Sequence, residues 1–460
     1  MSKVYAHFIG IGGAGMSALA RVLVERGVPI SGSDLKESRY AQALVDLGVP
    51  VTFGHAAENL GDPEVVVVSS AIPETNPELA EARRRGLPVW SRAEMLAHLG
   101  RGLKTLAVAG THGKTTTSSM LATVLSSLGC DPTFLVGGEL NDMGSNARSG
   151  SGEFYVVEAD ESDGSFVRLD PFVAVVTNIE ADHLDHYGSL DEVVAAFGDF
   201  IAKTSPSGAV VVCGDDERLA AVARRRSRAR VITYGASEGV DVCFRPLEQR
   251  GLGWSFEATF PDGTVVGCVT SVPGLHNVSN ATAVLAATWA LGLDVSGAAA
   301  ALAGFSGVRR RFERVAEVEG IVVVDDYAHH PTEIRATLRA ARQAAGARRI
   351  FAIFQPHRYT RTATLAREFG EAFGDADKVV LMDVYAAGEA PIPGVSGKSI
   401  LDAVLEHDAH AEVAYFPHRA DVAPYVAKRA RPGDMVMTLG AGDVTVLARD
   451  VVRVLRGEEA

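Results

Sequence analysis

Residues 109–119 read AGTHGKTTTSS, a glycine loop ending in Lys-Thr and running into helix-forming sequence. Gly110, Thr111, His112, Gly113, Lys114, Thr115 and Thr116 follow a short apolar run, Leu106–Ala109. A buried strand there would deliver the loop onto a helix start, where successive backbone N–H groups and the positive end of the helix dipole surround a phosphate chain. Lys114 would neutralise terminal phosphate charge and the Thr115 hydroxyl would coordinate Mg²⁺. The match to G-x-x-x-x-G-K-[ST] is incomplete, because Val108 stands where the first glycine is expected.

A second glycine loop lies at residues 7–16, HFIGIGGAGM, with Gly10, Gly12 and Gly15 in the G-x-G-x-x-G pattern. The acidic GSD at residues 32–34 follows one strand later, the layout of a dinucleotide-binding loop. Alone, this loop would suit an NAD-dependent dehydrogenase. Hydride transfer, however, has no use for the Lys114 loop. A regulatory NTPase is the reading in which only the Lys114 loop works.

A Mg²⁺-nucleotide, or its Mn²⁺ counterpart, needs oxygen ligands. VVEADESDGSF places Glu158 at the end of a buried strand, with Asp160, Glu161 and Asp163 in the loop beyond. VTNIEADHLDHYG does the same with Asn178, Glu180, Asp182, His183, Asp185 and His186. In an open parallel sheet such strand ends gather beside the phosphate loop. GLHNVSNATAV sets His276, Asn277 and Asn280 at a helix start, as caps or as flanks of a purine. Further on come Arg309, Arg310 and Arg311, then DDYAHHP from Asp325 and QPHRYTR from Gln355. Arg358 and Arg361 could hold a small carboxylate bidentately. Arg311 could offset charge on a transferring phosphoryl group.

The elements that must position these groups alternate strand and helix, which implies parallel sheets with covered faces. Strands are expected at Val4–Ile9, Pro29–Gly32, Val49–Phe53, Val65–Ser69 and Leu87–Trp90. The pattern restarts with KTLAVAG and continues through Phe154–Glu158, Phe172–Asn178 and Ala209–Cys213. Short β-rich runs from Val240 to Ser271 suggest an antiparallel addition. It restarts again with GIVVVDDY, RRIFAIFQ, KVVLMDVY, AEVAYF and DMVMTLG. The expected fold is three α/β domains, with residues 1–102 Rossmann-like, 103–307 a P-loop ATPase-like parallel sheet carrying the antiparallel addition, and 308–460 Rossmann-like.

At 460 residues, two or three cores are the expectation. A net charge of −13 argues against wholesale binding of nucleic acid or an anionic membrane, so anionic substrates must be held by local clusters. The four cysteines show no C-x-x-C spacing and read as free thiols in a reducing cytosol. No apolar run is long enough to span a membrane, and the N-terminal apolar stretch is broken by glycines, unlike a signal peptide. The expected location is cytoplasmic.

Taken in order, GIGGAGMSALA, GTHGKTTT, EADESDGSF, TNIEADHLDHYG, HNVSNATA, GVRRRFE, DDYAHHPTEI, QPHRYTRT and GAGD resemble the Mur ligase family. These are the ATP-dependent amide-forming enzymes of peptidoglycan precursor synthesis, and the set is most similar to the branch that adds L-alanine to UDP-N-acetylmuramate. The resemblance implies attack of the muramoyl carboxylate on ATP, an acyl phosphate, and aminolysis by L-alanine. It makes Gly12, Gly13, Ala14, Gly15 and Met16, with Asp34 and Ser70, the UDP-sugar contacts rather than a nicotinamide site. It gives the phosphate loop, His276, Asn277, Asn280 and Arg311 to ATP, and Thr115, Glu158 and His183 to the metal. Lys114, Glu158, His183, Arg311 and Asp326 become the catalytic set. Tyr327, His329, His357, Arg358 and Arg361 become the alanine pocket. A tripeptide-recycling ligase of the same family is the nearest alternative.

Overall fold

The computed structural model describes residues 5–346 and 348–458; Val4, expected in the first strand, lies outside them. Three sheets hold the strands. The first contains β1 (Ala6–Ile9), β2 (Ile30–Asp34), β3 (Val51–Phe53), β4 (Val65–Val68) and β5 (Val89–Ser91), in the order β3-β2-β1-β4-β5. Every pairing in it is parallel. The order reverses between β1 and β4, so the crevice for a ligand opens at their carboxyl ends. There the first glycine loop leaves β1, and Ser69 and Ser70 leave β4.

The second sheet has ten strands: β6 (Lys104–Ala109), β7 (Thr133–Leu140), β8 (Ser145–Arg148), β9 (Phe154–Glu158), β10 (Val173–Val176), β11 (Ala209–Cys213), β12 (Arg230–Gly235), β13 (Val242–Arg250), β14 (Gly253–Thr259) and β15 (Val265–Val269). Their order is β15-β14-β13-β12-β11-β10-β6-β9-β7-β8. β6 sits between β9 and β10, parallel to both, so the two acidic strand ends flank the phosphate loop as the spacing implied. β9, β10 and β11 are near-continuous buried valine-rich runs, the mark of parallel strands covered on both faces.

The third sheet contains β16 (Glu313–Val318), β17 (Ile321–Asp326), β18 (Ile350–Phe354), β19 (Lys378–Met382), β20 (Val413–Phe416) and β21 (Met435–Leu439), in the order β16-β17-β21-β18-β19-β20. Only β16 runs antiparallel. The helix Val444–Leu455 covers this sheet with Val444, Leu447, Ala448, Val451 and Val452, the one-sided spacing of an amphipathic helix.

The sequence reading leaves out β7, β8, β12 and β16. β16 is an edge strand with three charged residues among six, and β7 carries two glycines in its second half, so neither shows the apolar signal of the buried strands. By contact the chain forms two compact units. One comprises the chain to Phe244 with Ala258–Val266 and Asn280–Leu302; the other comprises Arg245–Glu257, Gly267–Ser279 and the chain from Ala303.

Candidate active site

In the first unit, the second loop is drawn tightly against the end of β10. A Cβ on Gly110 would lie 2.0 Å from the Thr177 hydroxyl, so only glycine fits where the loop turns. Asn178 accepts from the His112 N–H at 2.9 Å and donates to the His112 carbonyl at 3.1 Å, and Thr111 accepts from the Glu180 N–H at 2.9 Å. Gly113, in the left-handed region, caps the helix Lys114–Ser127, with Asn280 close behind it. His112 and Glu180 pair at 3.3 Å.

The Lys114 ammonium donates to the carbonyls of Gly110 (2.7 Å) and Thr111 (3.2 Å) and to Glu161 at 2.9 Å. Burial acts to lower its pKa, but Glu161, Asp160 and Glu158 outweigh it and keep the lysine charged. Tyr187 fixes Glu161 by donating to its carbonyl at 2.6 Å.

Glu158 is seated from two sides. The Thr115 hydroxyl donates to Oε1 at 3.0 Å, and the Gly137 N–H donates to Oε2 at 2.6 Å. Burial and Asp160 raise its pKa against the pull of Lys114. Asp160 is the reverse case: burial pushes its carboxyl up, but Lys114, the Ser162 N–H, Arg92 and His183 hold it below the usual range. His183 Nε2 lies 3.7 Å from Asp182. The side chain of Asp185 lies outside the described residues. Thr115 and Glu158 offer oxygen donors of the kind a hard divalent cation takes.

The first loop is pinned from behind. Ser33 accepts the N–H groups of Gly10 and Ile11 on its carbonyl, at 2.9 and 3.0 Å, and Asp34 accepts that of Gly12 at 2.8 Å. Gly12 therefore spends its N–H on the protein, and the side chain of Met16 is in the core. Gly13, Ala14 and Gly15 are exposed where the helix Ala14–Glu25 begins, with no side chain capping it and no acid in its first turn. Such a terminus has backbone N–H groups and a positive dipole end to offer an anion. Arg92 reaches over it, its Cδ 3.2 Å from where a Gly15 Cβ would sit. Ser70 is exposed at the end of β4. A single pocket runs from Ala14 and Gly15, past Arg92, to Gly137, Glu158 and Asp160.

In the second unit, Asp325 and Asp326 end β17. Asp326 accepts from the N–H groups of Phe312 (2.7 Å) and Ala328 (2.8 Å), and burial pushes its carboxyl up to about 6 despite Arg311. Arg310 and Arg311 both lie over the Tyr327 ring, at 4.9 and 5.1 Å. Tyr327, His329 and His357 form a chain of ring contacts at 5.2 and 5.8 Å, and His357 stacks on Tyr385 at 5.7 Å. Arg358 approaches Glu389 at 3.8 Å. His276 and Asn277 open the helix Leu275–Ala290; Asn277 is buried and donates to the Pro273 carbonyl at 2.7 Å, a capping-type contact.

Residues 5–103 match the model of the Mur ligase family catalytic domain, 108–288 the Mur ligase middle domain, and 310–442 the Mur ligase glutamate ligase domain. The chain belongs to the Mur ligase family. It is 49% identical over 459 residues to a UDP-N-acetylmuramate–L-alanine ligase of Pelotomaculum thermopropionicum, covering 99% of this chain and 98% of that one. It is 52% identical over 444 residues to the ligase so named from Rubrobacter xylanophilus, covering 95% and 97%. The crystal structure of a UDP-N-acetylmuramate–alanine ligase from Thermotoga maritima superposes with a TM-score of 0.81 at 32% identity, covering 98% and 99%. A murein peptide ligase from Psychrobacter arcticus gives 0.74 at 25%, covering 99% and 100%.

Both glycine loops and both acidic strand ends are legible in the sequence as candidates, and the fold sets the acidic ends beside the second loop. Arg92, Gly137, Tyr385 and Glu389, which the fold brings against these candidates, are not among the residues the sequence singles out. Gly137 carried a readable signal, since a glycine inside a strand marks close approach of another group. Arg92 carried none, being one arginine at the start of an ordinary helix.

The setting of His357 has a consequence for pH. Burial, then Arg361 and Arg358, push its imidazole down to about 4. An imidazole depressed on folding contributes stability that is complete above about pH 6.5 and is lost as pH falls through 4. We expect this group to cost about 1–2 kcal/mol between pH 7 and 4.5, after solvent screening. Thermal melts of His357→Gln across that window should show a shallower loss than the parent; an unchanged slope would contradict the assignment.

Proposed function

We propose that the protein forms the amide between L-alanine and the lactyl carboxylate of UDP-N-acetylmuramate, consuming ATP through an acyl phosphate, as a cytoplasmic step of peptidoglycan precursor synthesis. The observation that carries this reading is the single pocket linking the helix terminus at Ala14–Gly15 to Glu158. A sugar nucleotide whose diphosphate rests on the first loop would send its carboxylate along that pocket toward the phosphate loop. A dehydrogenase leaves Lys114 and Glu158 without work, and a regulatory NTPase leaves the first loop without work.

In the proposed division of labour, Ala14 and Gly15 present N–H groups to the diphosphate beside Gly13, while Asp34 holds Gly12 in place. Gly110–Thr116 wrap the ATP phosphates. The sugar carboxylate attacks the γ-phosphorus and ADP leaves, with Lys114 offsetting charge on the transferring phosphoryl group. The acyl phosphate is needed because a free carboxylate is too poor an electrophile. The neutral amine of L-alanine then attacks its carbonyl, giving the amide, inorganic phosphate and a proton. Asn280 lies behind Gly113, and His276 and Asn277 are assigned to the nucleotide. Thr115, Glu158 and His183 would hold Mg²⁺ or Mn²⁺, which supplies charge neutralisation to the phosphates when bound. Tyr327, His329, His357, Arg358 and Arg361 would hold L-alanine, with its carboxylate on the two arginines. Arg311 and Asp326 complete the catalytic set, Asp326 by fixing the turn at Phe312 and Ala328. The functional divisions proposed are residues 1–102, 103–307 and 308–460.

Phosphate release from ATP with Mg²⁺ and UDP-N-acetylmuramate tests the reading. Release is expected to require both the sugar and L-alanine. Release driven by L-Ala-γ-D-Glu-meso-diaminopimelate instead of L-alanine would make the enzyme a recycling ligase. Release with no acceptor would return it to the NTPases.

A further inference from the structure

Glu78 has no part in the chemistry above, yet five protein donors converge on its carboxylate. It is fully buried, at the second position of the helix Pro77–Arg84. Its Oε2 accepts from His7 Nε2 at 2.9 Å and from the Ser33 hydroxyl at 2.6 Å. Its Oε1 accepts from His55 Nδ1 (3.2 Å), the Ala56 N–H (3.2 Å) and Asn59 Nδ2 (2.9 Å). A carboxylate only accepts, so these contacts also set which nitrogen of each imidazole carries a proton. Burial works against its ionisation, but hydrogen bonds from His7, Ser33 and Asn59 hold the carboxyl at about 2.

The five donors come from β1, β2, the segment after β3, and the turn Ala57–Leu60. One of them leads directly to the first glycine loop. Ser33 gives its hydroxyl to Glu78 and its carbonyl to the N–H groups of Gly10 and Ile11. Its neighbour Asp34 takes the N–H of Gly12, and Ser38 donates to the Gly12 carbonyl at 3.0 Å. Three consecutive N–H groups of the loop thus hang from two residues of β2. The approach leaves no slack, since a Cβ on Gly32 would meet Ile11 at 2.6 Å and the Phe8 carbonyl at 2.8 Å. Where Ser33 sits decides where the loop sits, and with it the free N–H groups at Ala14 and Gly15.

We propose that Glu78 is a positioning residue for the sugar-nucleotide loop, acting through Ser33 to hold Gly10–Gly12 at the height that presents Ala14 and Gly15 to a diphosphate. A buried hub serving stability alone would not need to end on the loop's own anchor. This proposal rests on the reading of the first loop as the UDP-sugar site.

Calorimetric titration of UDP-N-acetylmuramate into the parent, Ser33→Ala and Glu78→Gln tests it, with ATP KM and melting temperature measured alongside. Ser33→Ala removes one hydroxyl and leaves the backbone free to stay. Both variants should bind the sugar nucleotide at least about tenfold more weakly, with the ATP KM within about twofold of the parent, the split expected when one site loses its preorganisation. Parent-like sugar affinity in Ser33→Ala would overturn the proposal, and that variant decides if Glu78→Gln does not fold. Equal loss of sugar and ATP binding in a folded Glu78→Gln would also overturn it, as a general loosening. A parent that binds ATP but no UDP-sugar would instead bring down the reading beneath it.

Discussion

Lys114→Ala is expected to lower kcat by about 10³-fold or more while UDP-N-acetylmuramate still binds within about threefold of the parent. The first half follows from electrostatics: a cation aimed at developing phosphoryl charge in a closed site acts at low dielectric, where removing a single preorganised donor already costs 10²–10³. Both loop carbonyls and Glu161 hold the Lys114 ammonium in place, so its charge is fixed at the loop. The second half follows from topology. The sugar loop leaves β1 in the five-stranded sheet and the phosphate loop leaves β6 in the ten-stranded one, so truncating the lysine touches nothing that fixes Gly12–Gly15. The substitution also strands the Glu161 carboxylate, and breaking a buried pair typically costs about 3–5 kcal/mol. Sugar binding should therefore be titrated well below the variant's lowered melting temperature. Turnover near the parent's would sink the phosphate-loop assignment.

That expectation was available from the sequence, because a strand, a glycine loop and Lys-Thr at a helix start are local in the chain. The same holds for the carboxyl ends of β9 and β10, whose apolar runs are unmistakable and whose acids follow at once. What was not legible is how distant segments meet. Asp34 reads as the acid of a dinucleotide layout and, by the resemblance, as a UDP-sugar contact, but in the fold its Oδ2 takes the N–H of Gly12 and so works on the loop. Met16 reads as part of the loop, yet its side chain packs in the core because it falls on the inward stripe of the helix Ala14–Glu25. Arg92 reaches Gly15 from another helix, a contact no spacing rule encodes. Glu78 looks like an ordinary first-turn helix acid, and only the fold shows five donors converging on it. β8 gives little signal because it is a four-residue strand at the sheet edge, and β7 because two glycines interrupt its second half.

Gly137 turns that missed hairpin into the sharpest test of the metal-side geometry. Its backbone lies outside the left-handed region, so alanine can adopt the same conformation without strain. A Cβ there would come within 2.5 and 2.6 Å of the two Glu158 oxygens and 2.8 Å of Cδ. Those atoms are the far end of a flexible side chain, so the fold yields cheaply by swinging the carboxylate aside. Gly152 offers the opposite case: a Cβ there would meet the Cys130 carbonyl at 1.8 Å, and the backbone itself would have to move. Gly137→Ala should therefore still fold, at a cost of about 1–3 kcal/mol for drawing Glu158 off the Thr115 hydroxyl and the Gly137 N–H. Its kcat should nonetheless fall by about 10²-fold, the usual cost of misplacing a positioned group by an ångström. Mn²⁺ binding in the presence of a non-hydrolysable ATP analogue, followed by electron paramagnetic resonance, should weaken in parallel, because Glu158 would no longer share its seat with Thr115. A stable Gly137→Ala variant with parent-like Mn²⁺ affinity and turnover would mean that the carboxylate position set by Thr115 and Gly137 is not the one the reaction uses.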